Sequence, residues 1–359
     1  MGSDSGTNDV QSTRQDAEQD IDFCTLGMFI IDEIHFPPPK DPVYNILGGA
    51  GSYSALGARL LSPPPLSRSV GWIVDAGSDF PVELREEINR WRTSCVFRET
   101  PDRLTTRAWN GYMENEYRAF KYLTEKIRLD HTSLSPRLLK SKSFHLICSP
   151  ARCIDLVENI LKLRNTSEEL PRPIFVWEPV PDLCLPSELE NCRKALQVVD
   201  VVSPNHQELA AFWDKSGNTS IGDVDRPLVE ELTQDWLSST IGTDLGGSRI
   251  GGVVIRAGKD GCYVASQNTT GRWIPPYHRS AERVVDPTGG GNTFLGGLIV
   301  ALTRGESLIE ASIMAGVSAS FAIEQVGMPT LAYETDGSET WNGIRVADRL
   351  TELQQWLEL

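Results

Sequence analysis

Five short apolar runs, at residues 69–74, 143–148, 174–177, 198–202 and 252–255, constrain this chain more than any other feature. A strand that is apolar at nearly every position has no polar face to offer water, so both of its faces must be covered. Most of the runs are separated by segments with helical spacing. Residues 185–196 fill the gap between two of them, and residues 227–237 carry Pro227 in the first turn with Leu228, Leu232 and Trp236 on one face. Alternating β and α units of this kind predict an α/β domain with a mostly parallel sheet between two helical layers. Residues 23–31 add a buried first strand. Residues 48–61 add a helix packed closely through Ala50, Gly51, Ser54, Ala55, Gly57 and Ala58. Proline clusters at 37–39 and 63–65 mark loops. Near the end, Val346, Leu350, Leu353 and Trp356 form the stripe of an amphipathic helix that packs on the core.

Residues 1–20 hold five acids and one arginine with almost no large apolar side chains, and read as a disordered acidic tail ahead of a domain at 21–357. Residues 95–113 depart from the alternation, and the half-polar, β-prone stretch 105–112 suits a strand outside the main sheet. Stretches 213–226 and 238–250 are loop-like. A net charge of −15 argues against a general nucleic-acid or anionic-membrane surface, since both need basic patches. It leaves room for a nucleotide, which needs only local N–H groups and a metal. The seven cysteines are scattered and odd in number, with no Cys-x-x-Cys, and the five histidines lack zinc spacing. Reduced thiols in a cytoplasmic or nuclear protein are the expectation. No signal-peptide h-region is present and no run nears 18 apolar residues, so no membrane partner is expected.

The chemistry concentrates at residues 286–302. Asp286, Pro287 and Thr288 lead into Gly289, Gly290 and Gly291, then Asn292, Thr293 and Phe294, and an apolar stretch that reads as a buried helix. Three glycines in succession let the backbone turn tightly and aim its N–H groups at one point, at the positive end of the helix that follows. That is a ready site for phosphate or a developing anion. The stretch resembles the C-terminal signature of the ribokinase/PfkB family of sugar kinases, D-T-x-G-A-G-D-x-F. Four further matches keep the family's order. Gly27 and Asp32 fit its strand-end G-x-x-x-x-D, and Gly48, Gly49 and Gly51 fit its first glycine signature. Asn205 and Glu208 fit its N-x-x-E, although the same spacing describes an ordinary helix start with a capping carboxylate. Arg256, Gly258 and Gly261 fall in the strand and turn that border the nucleotide. The resemblance covers roughly residues 22–330. There is no Walker A sequence, so a P-loop enzyme is excluded.

The resemblance implies a ribokinase-like three-layer α/β/α domain with a small β-lid at about 33–46 and 95–113. It implies ATP with its γ-phosphate on the N–H groups of Gly289, Gly290, Gly291 and Asn292, and a Mg2+ environment shaped by Asn205 and Glu208. A monovalent cation such as K+ would sit near Asp286. A sugar or nucleoside-like acceptor would lie on Asp32, Gly48, Gly49 and Tyr53. Lid edges in the family often pair between subunits, so a homodimer with Trp109 and Tyr112 at its contact is one reading, and packing of the lid on its own core is the other.

Two positions depart from the pattern. The family's catalytic base is the last Asp of the signature, and here that position is Asn292, whose amide takes no proton from a hydroxyl. Tyr53 stands where the family often has Asn, and its bulk reshapes the acceptor pocket. Losing a general base typically costs ~10²–10⁴-fold in rate, whereas the backbone cradle survives because Asn caps a helix as well as Asp does. Asp286 and Glu178 are the carboxylates considered as stand-ins, with nothing in the sequence aiming the second. Two functions follow: slow ATP/Mg-dependent phosphoryl transfer to a hydroxyl, or a pseudokinase that binds nucleotide, metabolite or a protein partner without catalysis.

Overall fold

The computed structural model describes residues 19–112, 118–165, 170–215, 223–239, 241–243 and 250–358. The expected acidic tail up to residue 18 lies outside the described residues, as do 216–222, 240 and 244–249 of the two loop-like stretches. Among the described residues no helix is long and apolar enough to cross a membrane. The seven cysteines are all free.

The apolar runs are strands of one nine-stranded sheet. In chain order the strands of the main sheet and the lid are β1 (Phe23–Thr25), β2 (Ile30–His35), β3 (Val43–Gly48), β4 (Val70–Gly77), β5 (Ser94–Thr100), β6 (Arg107–Tyr112), β7 (Arg118–Tyr122), β8 (Ser143–Cys148), β9 (Ile174–Pro179), β10 (Val201–Val202), β11 (Gly252–Arg256), β12 (Cys262–Ser266) and β13 (Thr269–Ile274). The main sheet runs β13-β12-β11-β10-β9-β8-β1-β4-β5, parallel from β5 to β11 and antiparallel at its β12 and β13 edge. Alternate residues of each central strand enter different hydrophobic layers. Phe23, Trp72, Val176, Val201 and Val254 face one layer, while Cys24, Ile73, Trp177, Val202 and Val253 face the other. This is the period-2 consequence of strands covered on both sides.

The helices used below are α1 (Ala50–Leu60), α2 (Val82–Arg90), α3 (Pro150–Arg164), α4 (Leu189–Val198), α5 (His206–Ala211), α6 (Arg226–Ser238), α7 (Gly290–Thr303), α8 (Leu308–Ala322) and α9 (Val346–Glu358). Helices α1, α7 and α8 supply the first layer, with α9 packed outside through Val346, Leu350, Leu353 and Trp356 as its stripe requires; α3, α4 and α6 supply the second. The chain enters the sheet at β1, moves outward through β4 and β5, then returns to the other side of β1 with β8. In open parallel sheets ligands bind beyond the carboxyl ends of the strands at such a reversal.

Two expectations about the first hundred residues need correction. Residues 23–31 are not one strand. The main-sheet strand stops at Thr25, where Thr25 Oγ1 accepts from the Gly27 N–H at 3.0 Å, and the chain passes into the lid at Ile30. The lid itself is a four-stranded sheet, β3-β2-β6-β7, with β2 and β6 parallel. The expected lid segment 95–113 therefore starts too early. Residues Ser94–Thr100 pair with β4 as the outer strand of the main sheet, and their half-polar character comes from that edge position, where one side meets solvent.

The helices α1 and α7 touch backbone to backbone. A Cβ on Gly57 would lie 1.9 Å from the Thr293 carbonyl oxygen, and one on Gly296 would lie 1.9 Å from that of Ser54. Only glycine permits such an approach. The crossing fixes the start of α7, and with it residues 289–292, against the start of α1 and residues 49–53.

Candidate active site

The start of α7 divides two cavities. One, of about 840 Å³, lies under the lid and is lined by Asp32, Asn110, Gly49, Tyr53, Thr288, Gly289 and Asn292 among others. The second, of about 560 Å³, is lined by Arg256, Gly258, Gly261, Gly290, Gly291 and Phe294, with Tyr277, Ile323 and Trp356 farther along. Gly289 has a left-handed φ of 77°, and a Cβ there would lie 2.2 Å from the Tyr53 ring. The ring of Tyr53, only 3% exposed, thus lies flush against the glycine turn and closes one wall of the larger cavity. On the other side, a Cβ on Gly291 would strike the Arg256 guanidinium at 2.3 Å. The turn is thus flanked by the Tyr53 ring on one side and the Arg256 guanidinium on the other, with Gly289 and Asn292 lining the larger cavity and Gly290 and Gly291 the smaller.

Asn292 sits in the first turn of α7. Its Nδ2 donates to Glu178 Oε2 at 2.7 Å. Because a carboxylate only accepts, the amide oxygen of Asn292 is turned away from Glu178. Glu178, at the end of β9, is 7% exposed. Its Oε1 meets an Arg256 nitrogen at 2.8 Å and its Oε2 lies 3.4 Å from His145 Nε2. His145 Nδ1 in turn faces Ser54 Oγ at 2.8 Å and Thr25 Oγ1 at 3.3 Å. Burial opposes the Glu178 charge, but Arg256 and then His145 outweigh it and hold the carboxyl below its usual range.

Asn205 and Glu208 form a reciprocal capping box at the start of α5: Asn205 N–H donates to Glu208 Oε2 at 2.7 Å, and Glu208 N–H donates to Asn205 Oδ1 at 2.8 Å. The same Glu208 oxygen lies 3.4 Å from Arg256, whose guanidinium also donates to the Ser203 carbonyl at 3.0 Å. Burial pushes Glu208 up to about 7, with Arg256 pulling the other way and the neighbouring Glu178 charge adding to the rise. Neither Asn205 nor Glu208 lines either of these two cavities. Among the described residues no group of three or more His, Cys, Asp or Glu side chains forms a metal cage. Asp286 is buried and accepts from both the N–H and the hydroxyl of Thr288.

Asp32 is 6% exposed in β2 and accepts from Asn110 Nδ2 at 3.1 Å. Gly48 is glycine because a Cβ there would overlap the Asp32 carboxylate at 1.9 Å, and Gly49 adopts a φ of 84°. Of the expected site residues, Asp32, Gly49, Tyr53, Gly289 and Asn292 come together around the larger cavity. Arg256, Gly258, Gly261, Gly290 and Gly291 meet around the smaller one. Asn205, Glu208 and Asp286 line neither cavity. Trp109 packs within the lid, 5.7 Å from the His35 ring, while the side chain of Tyr112 is outside the described residues. Sequence reasoning missed Asn110 and His145 and had no aim for Glu178. Only a polar residue in the middle of an apolar strand, His145, left a trace.

The sheet, its crevice and the lid above it define a ribokinase-like kinase domain. Residues 43–335 match the model of the pfkB family of carbohydrate kinases, and the chain belongs to that family. It is 36% identical over 353 residues to an uncharacterised protein of Schizosaccharomyces pombe, covering 94% of each chain. It is 34% identical over 341 residues to protein MAK32 of Saccharomyces cerevisiae, covering 91% of this chain and 90% of that one. Among solved structures it superposes on Arabidopsis thaliana ribokinase, determined with ribose and ATP, with a TM-score of 0.63 at 16% identity, covering 93% and 99% of the two chains.

Proposed function

We propose that this protein transfers the γ-phosphoryl group of ATP to a hydroxyl of a polyhydroxylated acceptor. The observation that carries the reading is the glycine turn at the start of α7, which borders both cavities at once. The nucleotide belongs in the 560 Å³ cavity, with its base toward Tyr277 and Trp356 and its γ-phosphate at Gly290, Gly291 and Arg256. The acceptor belongs in the 840 Å³ cavity, with hydroxyls on Asp32 and Asn110. Arabidopsis thaliana ribokinase, which shares the fold, was solved with ribose and ATP, a pair of ligands of the two kinds proposed here. In the step, an acceptor oxygen forms a bond to the γ-phosphorus as the bond to the β–γ bridging oxygen breaks, and ADP leaves. Positioning and charge stabilisation carry most of such a reaction.

Asn292 contributes an oriented acceptor atom. With its Nδ2 held by Glu178, its Oδ1 is free to receive a hydrogen bond from the attacking hydroxyl. The proton itself passes late to a phosphoryl oxygen or to water, so turnover is slow. A divalent ion neutralises phosphate charge in reactions of this class. Here it would be held by the nucleotide phosphates and water, since Glu208 is already engaged by Asn205 and Arg256. Asp286 is the side chain proposed for a monovalent cation. A homodimer would form through the outer lid strands β3 and β7, each paired on one side in the described sheet.

A second reading, binding without catalysis, is favoured by the same Asn292–Glu178 bond, which ties the base position to a structural network. Calorimetric titration with Mg·ATP tests the primary reading first. One saturable site, lost in Gly291→Val, is the expected result, because a valine there displaces Arg256 from the turn. Absence of binding at millimolar nucleotide refutes the kinase reading.

A further inference from the structure

We infer that the acceptor carries a phosphate monoester, which three cations in the larger cavity are arranged to hold. This rests on the acceptor occupying that cavity. Lys126, Arg128 and Arg152 all line it, and none of them lines the cavity assigned to the nucleotide. Lys126 and Arg128 lie on the segment that returns from lid strand β7 to the main body, and Arg152 lies in the first turn of α3, with its guanidinium against Leu129 of that segment. Two of the three buried arginines of this acidic chain, and two half-buried ones, have a carboxylate partner: Arg59 has Glu339, Arg349 has Glu324, Arg172 has Asp200 and Arg256 has Glu178. Among the described residues no carboxylate stands within ion-pair distance of Lys126, Arg128 or Arg152.

What partners they do have leaves their charge available. Arg152 donates one hydrogen bond, to the Leu129 carbonyl at 2.7 Å, which fixes its stem while the rest of the guanidinium is uncommitted. Lys126 lies 4.9 Å over the Tyr122 ring. The Lys126 ammonium is held below its usual range by burial and then by Arg128, with Arg152 adding to this and Asp182 alone opposing. Three like charges gathered around one cavity repel each other until an anion enters. With Asp182 beside them the group is two charges positive, which complements the charge of about −1.5 to −2 on a phosphate monoester at neutral pH. Asp32 and Asn110 form the hydroxyl-binding end of the same cavity. A ligand that satisfies both ends is a polyol with one phosphate and at least one free hydroxyl. The cavity is far larger than a lone monosaccharide requires, which agrees with the added group.

The test is calorimetric titration of the full chain with matched pairs: ribose and ribose 5-phosphate, fructose and fructose 6-phosphate, myo-inositol and inositol monophosphate. Gluconate and inorganic phosphate complete the set. At least one phosphorylated member should bind 100-fold or more tightly than its neutral counterpart. Arg128→Gln, at an exposed position that leaves the fold intact, should weaken that binding at least tenfold, and Arg128→Gln with Arg152→Gln further, with Mg·ATP affinity unchanged. The inference is overturned if neutral members bind as tightly, if gluconate binds best, or if inorganic phosphate binds as well as the sugar phosphate. It is equally overturned if no pair binds at millimolar concentration, or if the arginine variants leave the preference intact. Loss of Mg·ATP binding with sugar-phosphate binding retained would count against the kinase reading and leave this one standing.

Discussion

Restoring the family's base by Asn292→Asp alone should fail, and the reason is the 2.7 Å contact with Glu178. The substitution replaces a donor by a second acceptor. It forfeits a hydrogen bond to a charged group, worth about 1.5–3 kcal/mol, and brings two carboxylates face to face. Two unit charges about 4 Å apart at an effective dielectric constant of about 20 interact by roughly 4 kcal/mol, or about three pK units. The pair will then share a proton at neutral pH, as closely placed carboxylates do, and the introduced carboxylate is no base. Adding Glu178→Gln returns a donor to position 178 and leaves the introduced carboxylate ionised. Steady-state ADP release with a bound acceptor, followed from about pH 6 to 9, reads this directly. Asn292→Asp should change the rate by less than about tenfold at neutral pH, whereas the double variant should gain about 10²–10⁴-fold. Urea unfolding at mildly alkaline pH should show the single variant less stable by several kcal/mol and the double variant largely recovered. If the single variant matches the double in both rate and stability, the proposed coupling between the two side chains is wrong.

Three further outcomes follow from the site and its supports. Glu208, raised by burial to about 7 from 4.5, binds its proton more tightly when folded. Its contribution is therefore complete below about pH 4.5 and is lost as pH rises through about 7, a swing on the order of 3 kcal/mol. Glu208→Gln should flatten that part of the stability–pH curve measured by urea unfolding; an unchanged slope would show that another group is responsible. Gly57→Leu drives a side chain into the Thr293 backbone and should cost about 3 kcal/mol, seen as a fall in Tm, and full stability would mean that the two helices are not in contact. Asp32→Asn should keep the Asn110 contact while weakening acceptor binding about 10- to 100-fold, and an unchanged acceptor affinity would remove Asp32 from the acceptor site.

Much of this was legible in the sequence, and the failures have physical causes. Continuous apolar runs located the central strands because burial on both faces leaves nothing polar in them, and the run of glycines located the turn because no other residue permits it. Ser94–Thr100 was misread because an outer strand of the main sheet is half solvated, and so is a lid strand; composition cannot separate them. Asn205 and Glu208 carried two readings, and the capping box is present in the structure whatever else the pair does. The partnership of Asn292 with Glu178 joins residues 114 positions apart, and the Lys126, Arg128 and Arg152 group draws on two separate elements. No local pattern records such meetings. Only the order of strands in the sheet brings β8, β9 and the start of α7 to one place.

The backbone contact between α1 and α7 has a consequence for how proteins of this design diverge. Gly57 and Gly296 make the position of the glycine turn a property of main-chain geometry, fixed by backbone contacts at Thr293 and Gly296 and not by the side chain at 292. Position 292 can therefore change without loosening the turn, whereas a side chain at either crossing glycine must push the two backbones apart. On the proposed function, binding and chemistry would thus be separable characters here, exposed to different mutational risks. Under the proposed kinase function, a lineage could surrender speed at position 292 while the turn proposed to hold the nucleotide stays in place.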